Sequence, residues 1–326
     1  MSTQSKPKLS IKKQIDFFKQ KGVEFNVMDE RQAYSFLQNN SYLFKIKAYC
    51  NTYKIKDKNN KTLKYKNLDF AYLVDLSIID MHFRRFIIRL TLDLEHLIKT
   101  KLIRDFNSSS ENGYDIVIDF LSSNRHANDF LNRAINDTNI LKQRGGDLYS
   151  IVQFLLDKYG YDLAIWNYLE IIQFGDLIEL AKFFYKRNKN IEFDAIKDAL
   201  FNAKFLRNAA AHNNCMLADL KDNICTPQKQ IVDEIYRKNI FKRRTRNYIE
   251  NNMKNRVLND FITTIFIYDK ICKSKQMKQY CFKELLELIS TRFIRNKSYY
   301  IKASTIRKRY MFILRVITYF EKISKI

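Results

Sequence analysis

The chain has 326 residues, of which only 6 are Gly and 2 are Pro, whereas average usage would give about 39 of the two together. So few turn-forming residues exclude a many-stranded sandwich or barrel and a glycine-rich phosphate loop, and they predict an all-helical fold. An apolar content of 46% excludes an intrinsically disordered chain. The net charge of +23 predicts a polyanionic partner, with nucleic acid ahead of an anionic membrane surface.

Signals for membranes, secretion and metals are absent from the sequence. The most apolar stretch, residues 311–320, is short and carries Arg315, so no membrane span is expected. Residues 1–8 are polar, which predicts that the chain has no signal peptide. The five cysteines and four histidines are scattered, without a CxxC pair. This pattern predicts reduced thiols in a cytoplasm, no metal site and no cofactor.

Hydrophobic periodicity predicts helices along most of the chain. Ile11, Ile15 and Phe18 lie on one face of a first helix, and apolar residues recur every three or four positions from residue 67 to 106. The polar, basic stretch 54–66 is expected to form an exposed loop or hairpin. Further helices are expected over residues 115–142, 148–158, 161–187 and 191–216. Composition divides the chain into a helical lead-in, a helical domain and a basic helical region, at residues 1–68, 69–226 and 227–326.

The positive charge is concentrated after Pro227. Residues 228–326 contain 24 Lys and Arg against 8 Asp and Glu, which is +16 of the total +23. The candidate RNA-binding residues form two clusters, Lys242, Arg243, Arg244 and Arg246, and Arg307, Lys308 and Arg309. Seven aromatic residues are interleaved with them; each taken singly is expected in the core. The segment as a whole is typical of RNA binding, in which cations neutralise phosphates and exposed rings stack on bases.

The candidate catalytic residues lie in residues 205–216, which read FLRNAAAHNNCM. Nucleotide-binding and common hydrolase motifs such as GxGxxG, HExxH and GxSxG do not occur. Four residues separate Arg207 from His212, and Asn208 follows the arginine. On a helix Arg207 and His212 are roughly 140° apart, so they would flank a cleft rather than touch. The spacing alone is weakly specific, and Asn208 with His212 also fits an ordinary i, i+4 polar pair.

The sequence resembles the abortive-infection Abi proteins of the AbiD/AbiF type, which belong to the HEPN superfamily of all-helical RNases. Five blocks carry the resemblance in order: LSIKKQIDFFKQKGVEF, AYSFLQNNSYLFKIKAYCNTY, FAYLVDLSIIDMHFRRFIIRLTLDLEHLIKTKL, WNYLEIIQFGDLIEL and LRNAAAHNN. The last block resembles the family's Arg-Asn-x-x-Ala-His closing motif. The chain departs from the family pattern at residues 213–217, just after the histidine, and at residues 44–47, where a glycine is usual.

The resemblance implies a HEPN-type helical bundle that cleaves RNA without a metal. His212 would exchange protons with the ribose 2′-OH, Arg207 would bind the scissile phosphate, and Asn208 would orient His212 or contact RNA. The reaction needs one group that abstracts a proton and one that donates a proton, and a single Arg and His set provides few groups for both. The resemblance therefore implies a homodimer with a composite site. Glu95, in the long helix, would hold the Arg207 guanidinium; an ordinary i, i+4 pair with Lys99 is the plainer expectation.

These inferences predict an endoribonuclease that acts as a phage-defence toxin in a bacterial cytoplasm. The localised charge of the C-terminal region further predicts restraint by a bound noncoding RNA. The alternative is a non-catalytic RNA- or DNA-binding protein that uses a HEPN scaffold for dimerisation. A third interpretation, attachment of the basic C-terminus to a membrane surface, accounts for the same charge, but RNA is preferred and no membrane partner is predicted.

Overall fold

The computed structural model describes residues 8–56, 62–220 and 225–325. Within these ranges helices dominate and the one sheet is a two-stranded hairpin, so the predicted all-helical fold is confirmed. The helices are α1 (Ile11–Gln20), α2 (Glu30–Asn39), α3 (Leu43–Tyr49), α4 (Phe70–Asn107), α5 (Asp115–Ser123), α6 (Arg125–Gln143), α7 (Ile151–Tyr159), α8 (Ile165–Ile171), α9 (Phe174–Arg187), α10 (Ile191–Asp194), α11 (Leu200–Ala211), α12 (Lys229–Arg237), α13 (Arg246–Met253), α14 (Arg256–Ile271), α15 (Lys275–Glu287) and α16 (Ser304–Ser324). The strands are β1 (Lys54–Lys56) and β2 (Thr62–Tyr65). No helix in the described ranges is long and apolar enough to cross a membrane.

Two compact units, each built from discontinuous stretches, make up the chain. Unit 1 comprises Met1–Arg89, Leu206–Thr263 and Ser274–Ile326, and unit 2 comprises Leu90–Phe205 and Thr264–Lys273. Helices α4, α11 and α14 contribute residues to both units. The three consecutive segments distinguished by composition have different boundaries from these units.

The N-terminal part of unit 1 is organised around the start of α4. The buried carboxylate of Asp69 caps this helix by accepting the N–H of Ala71 at 2.9 Å, and it also accepts the N–H groups of Asn26 at 2.7 Å and Val27 at 3.0 Å. A charged acceptor at a helix N-terminus satisfies otherwise unpaired N–H groups. The ring of Phe70, the first residue of α4, packs edge-on against Phe18 of α1.

Within stretch 54–66, β1 and β2 pair antiparallel, with Lys54 opposite Tyr65, as a hairpin requires. The residues between the strands, 57–61, lie outside the described ranges. The long helix predicted over residues 67–106 is confirmed as α4. Its apolar stripe is buried, as predicted, because residues three and four apart share one helix face; the stripe includes Leu73, Leu76, Ile79, Phe83, Phe86, Leu90 and Leu94.

The C-terminal part of unit 1 is also closely packed. The ring of Phe241 stacks on Phe312 of α16 with centroids 4.7 Å apart. Helix α15 continues into a π-helical turn, Leu288–Arg292. Of the aromatic residues noted in the basic region, Tyr300 is buried and Tyr280 is largely exposed.

Unit 2 has its own apolar core, formed by α5 to α10 with parts of α4, α11 and α14. The helix expected over residues 115–142 is divided into α5 and α6, because Asn124 adopts an extended backbone and its side chain accepts the N–H of Ala127 at 3.0 Å. The helix expected over residues 191–216 is likewise divided into α10 and α11 and ends earlier, at Ala211. That early end places the candidate motif at a helix terminus.

Candidate active site

The Arg-x4-His motif lies where α11 stops. His212 follows the last helical residue, and Asn213 turns the backbone into the left-handed region with φ 56°. The N–H of Asn214 donates to the carbonyl of Ala209 at 2.9 Å, and the N–H of Asn213 donates to the carbonyl of Ala210 at 3.1 Å. This pair of bonds is a Schellman motif, in which asparagine is tolerated at the left-handed position. It fixes His212 at the end of the helix with its side chain exposed.

Arg207 and His212 have different surroundings. The Arg207 guanidinium is half-buried and donates to the side-chain oxygen of Asn208 at 3.3 Å; among the described residues it has no carboxylate partner. The imidazole of His212 has no hydrogen-bond partner within the same residues, and its backbone N–H donates to the carbonyl of Asn208 at 2.9 Å. Asn208 therefore holds the arginine, and the bond by which it was expected to orient His212 is not formed. A half-buried cation without an acidic partner favours binding of an anion.

A buried carboxylate, Asp80 of α4, secures the backbone just beyond the motif. It accepts the N–H of Met216 at 3.2 Å and the N–H of Leu217 at 3.1 Å. The hydroxyl of Tyr49 donates to the same carboxylate at 2.6 Å, and Arg84, one turn further along α4, forms an ion pair with it. Asp80 thus ties residues 216–217 to α3 and α4 within unit 1.

Two basic side chains bind the turn that follows His212. The Nζ of Lys45 donates to the carbonyl of Asn213 at 2.6 Å, and Nη1 of Arg84 donates to the carbonyl of Asn214 at 3.3 Å. Lys45 is only partly buried, whereas the Arg84 side chain is mostly buried and paired with Asp80. Lys45 therefore places a cation at the residue directly after the histidine, where it would strengthen the attraction of a polyanion.

Burial is the main influence on the pKa values of Asp80 and of Tyr49, which donates to it. Burial raises the pKa of the Asp80 carboxyl, while the Tyr49 hydroxyl, the Arg84 charge and two backbone N–H groups act in the opposite direction. Burial, followed by the charge of Asp80, raises the pKa of the Tyr49 hydroxyl. Tyr49 therefore remains a protonated donor to Asp80 at neutral pH.

Glu95 pairs with Lys99, the partner that the plainer of the two expectations gave it. Nζ of Lys99 lies 3.6 Å from Glu95 Oε1 on the same face of α4, which is the plain i, i+4 pair. Both side chains are mostly buried, so this pair is more protected than an exposed surface pair. The role of Glu95 in holding Arg207 stays a prediction.

The residues of the two basic clusters in the C-terminal region differ in their exposure. Lys242, Arg243, Arg244, Arg307 and Lys308 are exposed, as RNA contact requires. The prediction for Arg309 is corrected: it is only 2% exposed, and its guanidinium donates to the backbone carbonyls of Leu220 and Asn252, each at 2.9 Å. Arg309 is therefore part of the packing of unit 1 and is not presented to RNA.

The prediction that Arg246 binds RNA is also weakened, in this case by ion pairs within the chain. Its guanidinium is paired with Asp233 at 2.5 Å and with Glu250 at 3.0 Å. Two carboxylates already neutralise this cation, so it offers little to a phosphate. Arg244 lies over the ring of Tyr248 at 5.0 Å, which orders an exposed guanidinium without neutralising it. In the described ranges no group of three or more His, Cys, Asp or Glu side chains is placed to hold a metal ion.

Sequence reasoning missed Asp80, Arg84, Lys45 and Tyr49. Asp80 and Arg84 do leave a signal, because they are a charged i, i+4 pair inside an otherwise apolar helix stripe. Lys45 leaves none: its partner is a backbone carbonyl 168 residues further along the chain.

Fold and site together define an all-helical protein with an Arg-x4-His motif at a helix terminus, in which the histidine is exposed and the backbone just beyond the motif is secured by a buried carboxylate. A family model described as Abi-like protein matches residues 35–218. This range covers more than half of the chain, and the chain belongs to the Abi-like protein family. It contains Arg207, His212, Asp80, Arg84 and Lys45, whereas the first resembling block and the basic C-terminal region lie outside it. No curated protein and no solved structure matches the chain.

Proposed function

We propose that the chain is a HEPN-type endoribonuclease that cleaves RNA without a metal and acts as a toxin in abortive infection, in a bacterial cytoplasm. The observation that carries the proposal is the end of α11 in a member of the Abi-like family. There an exposed imidazole with no hydrogen-bond partner among the described residues follows, by just over one helical turn, a half-buried arginine that lacks an acidic partner.

RNA supplies its own nucleophile. His212 takes the proton from the ribose 2′-OH, and the 2′ oxygen attacks the adjacent phosphorus. The bond to the 5′ oxygen breaks, which leaves a 2′,3′-cyclic phosphate and a 5′-hydroxyl once that oxygen receives a proton. Arg207 binds the non-bridging oxygens, where negative charge develops in the transition state. Asn208 acts as a positioning residue, supported by its 3.3 Å bond to Arg207.

The second proton transfer calls for a second acid. In a two-fold homodimer, His212 of one protomer is the base and the partner's His212 is the acid that protonates the leaving 5′ oxygen. Lys45, which binds the turn after His212, adds positive charge for flanking phosphates.

An unrestrained ribonuclease damages its host, so the proposal includes a restraining noncoding RNA. The exposed cations Lys242, Arg243, Arg244, Arg307 and Lys308 support this part of the proposal, because a polyanion would neutralise them. The full-length protein, purified without nuclease treatment, is expected to carry a discrete RNA and a raised absorbance at 260 nm. Protein free of nucleic acid at physiological salt would contradict the restraint by RNA but not the cleavage.

The test of cleavage uses His212→Ala and Arg207→Ala in the full-length protein. Both variants are expected to abolish RNA cleavage and host toxicity while RNA binding remains near the parent level. His96→Ala and Arg144→Ala are matched controls, because these side chains are exposed and lie outside the motif. If both motif variants are as toxic as the parent, the site is not catalytic. RNA binding by the parent without cleavage would favour the alternative, a non-catalytic nucleic-acid-binding protein.

A further inference from the structure

Unit 1 contains a cavity of about 640 Å³ that the proposed active site does not use. This volume is within the range of roughly 300–1,000 Å³ that is usual for small-molecule sites. The floor and walls of the cavity are formed by those lining residues that are buried. Most of these residues are aliphatic, and the aliphatic ones are Leu76, Ile79, Leu217, Leu220 and Ile313. An occupant of this cavity would therefore present an aliphatic body.

The polar side chains at the floor are already bonded within the chain. The hydroxyl of Tyr300 donates to Asp75 at 2.6 Å, and the Arg309 guanidinium donates to the carbonyls of Leu220 and Asn252. Both side chains thus have partners within the chain, and a hydrogen-bonded polar group does not require a partner from a ligand. Because most of the buried lining is aliphatic, the apolar tail of a ligand is favoured there, and the polar head group remains at the mouth.

The mouth of the cavity is cationic. Lys297 and Arg307 line it and are exposed, and no Asp or Glu is among the lining residues. Neither cation pairs with a carboxylate in the described part of the chain; Arg307 donates to the carbonyl of Ile301 at 2.8 Å. An aliphatic cavity under a positive rim is complementary to a molecule with an apolar tail and one anionic head.

We propose that this cavity binds a single-chain amphipathic anion, an unbranched alkyl chain ending in a carboxylate. The chain lies against the aliphatic walls and the carboxylate lies between Lys297 and Arg307. The walls formed by Leu217 and Leu220 belong to the segment that follows His212 and is tied to Asp80, so the occupant contacts the same stretch of backbone. Binding depends on the cavity alone and does not rest on the proposed ribonuclease activity.

The first test is calorimetric titration of the full-length protein with dodecanoate below its micellar concentration. Saturable binding of one dodecanoate per chain is expected. Dodecyltrimethylammonium, which has the same tail with the opposite charge, is expected to bind at least tenfold more weakly. Shortening the tail to decanoate or octanoate is expected to weaken binding about fourfold per methylene, the equivalent of about 0.8 kcal/mol. Absence of saturable dodecanoate binding, or equal affinity for the cationic surfactant, would overturn the proposal.

Variants at the exposed mouth locate the head group without disturbing the core. Lys297→Ala is expected to weaken dodecanoate binding, whereas Lys302→Ala, a nearby exposed lysine that does not line the cavity, leaves it unchanged. Ile301 lines the mouth and is 63% exposed. Ile301→Asp is expected to weaken dodecanoate and strengthen dodecyltrimethylammonium, with the circular dichroism spectrum unchanged. Equal effects of the two lysine variants, or unchanged binding to Ile301→Asp, would show that the head group is not at this mouth.

Discussion

The carboxylate of Asp80 accepts the backbone N–H of Leu217 at 3.1 Å, across 137 positions of the chain, and so holds the backbone five residues after His212. The same carboxylate receives Tyr49 and Arg84, which means that one buried side chain joins α3, α4 and the end of the motif segment. The position of the backbone after the histidine therefore depends on a residue from a distant part of the sequence.

Asp80→Asn is expected to destabilise the protein by about 3 kcal/mol or more, because it leaves the mostly buried Arg84 cation without its partner. The loss is expected as a lower midpoint in urea denaturation, together with reduced RNA cleavage. Asp137→Asn, an exposed position in α6, is the matched control and is expected to change stability by less than about 0.5 kcal/mol. Equal denaturation midpoints for the two variants would contradict the role of Asp80 in securing residues 216–217.

The left-handed backbone of Asn213 gives a second prediction. Asn213→Gly is expected to be close to neutral, whereas Asn213→Val is expected to cost about 1–2 kcal/mol, because a Cβ-branched residue is strained at φ 56°. The valine variant is also expected to displace His212 and reduce cleavage. Thermal unfolding and RNA cleavage check both effects. Asn214→Val is the neighbouring control, as that residue has no positive φ; a loss as large as that of Asn213→Val would contradict the explanation by backbone strain.

A salt titration distinguishes exposed from buried cations in the basic region. Changing Lys242, Arg243 and Arg244 together to Gln is expected to weaken RNA binding and to lower the slope of log affinity against log salt by about 0.7 for each phosphate that the protein no longer neutralises. Changing three exposed lysines elsewhere, Lys8, Lys12 and Lys13, is the control. Arg246→Gln is expected to leave the slope unchanged, since its charge is paired internally. A slope unaffected by the triple variant would mean that these cations are only solvated.

His82 gives a prediction that depends on pH. It lines a smaller cavity of about 420 Å³ with Arg85, Arg292 and others. Burial, followed by the charges of Arg292 and Arg85, lowers the pKa of His82 below the ordinary 6.5. The folded state therefore favours the neutral imidazole, and the stability that His82 contributes is present above pH 6.5 and lost as the pH falls through the lowered pKa.

Arg292→Gln is expected to raise the pKa of His82, because it removes one of the two positive charges that oppose protonation. An NMR titration of the imidazole Cε1 proton measures the shift. Arg295→Gln, an exposed arginine that does not line this cavity, is expected to have no effect. A pKa for His82 at or above 6.5 in the parent protein would contradict the assignment.

Glu95 is tested against its neighbour. If the resemblance is right about its role, Glu95→Gln lowers RNA cleavage and Lys99→Gln does not, although each removes the same 3.6 Å ion pair. Initial rates on a saturating RNA, with thermal unfolding as the measure of folding, make the comparison. Equal and small effects of the two changes would limit Glu95 to its pair with Lys99.

Sequence periodicity predicted α4 because its stripe of Leu, Ile and Phe side chains depends only on residues three and four apart. It did not predict that α11 ends at Ala211. That end depends on the left-handed Asn213 and on the bond from Lys45, which is far away in sequence. Arg309 was assigned to RNA although its spacing from Phe312, Ile313 and Val316 places it on the buried face of α16. The helical period thus indicates correctly that Arg309 is buried, whereas the run of basic residues 307–309 suggests an exposed cluster.

The burial of Arg309 also bears on how relatives of this protein can diverge. Its guanidinium bonds the carbonyl of Leu220, and the rings of Phe261 and Phe293 pack edge-on against Phe83 of α4. Replacing residues 227–326 as one segment would remove Arg309, Phe261 and Phe293, and with them these contacts within unit 1. For the proposed RNA-binding role, changes of preference are therefore expected to evolve by single replacements at exposed positions such as Lys242 and Lys308, and not by recombination of whole segments.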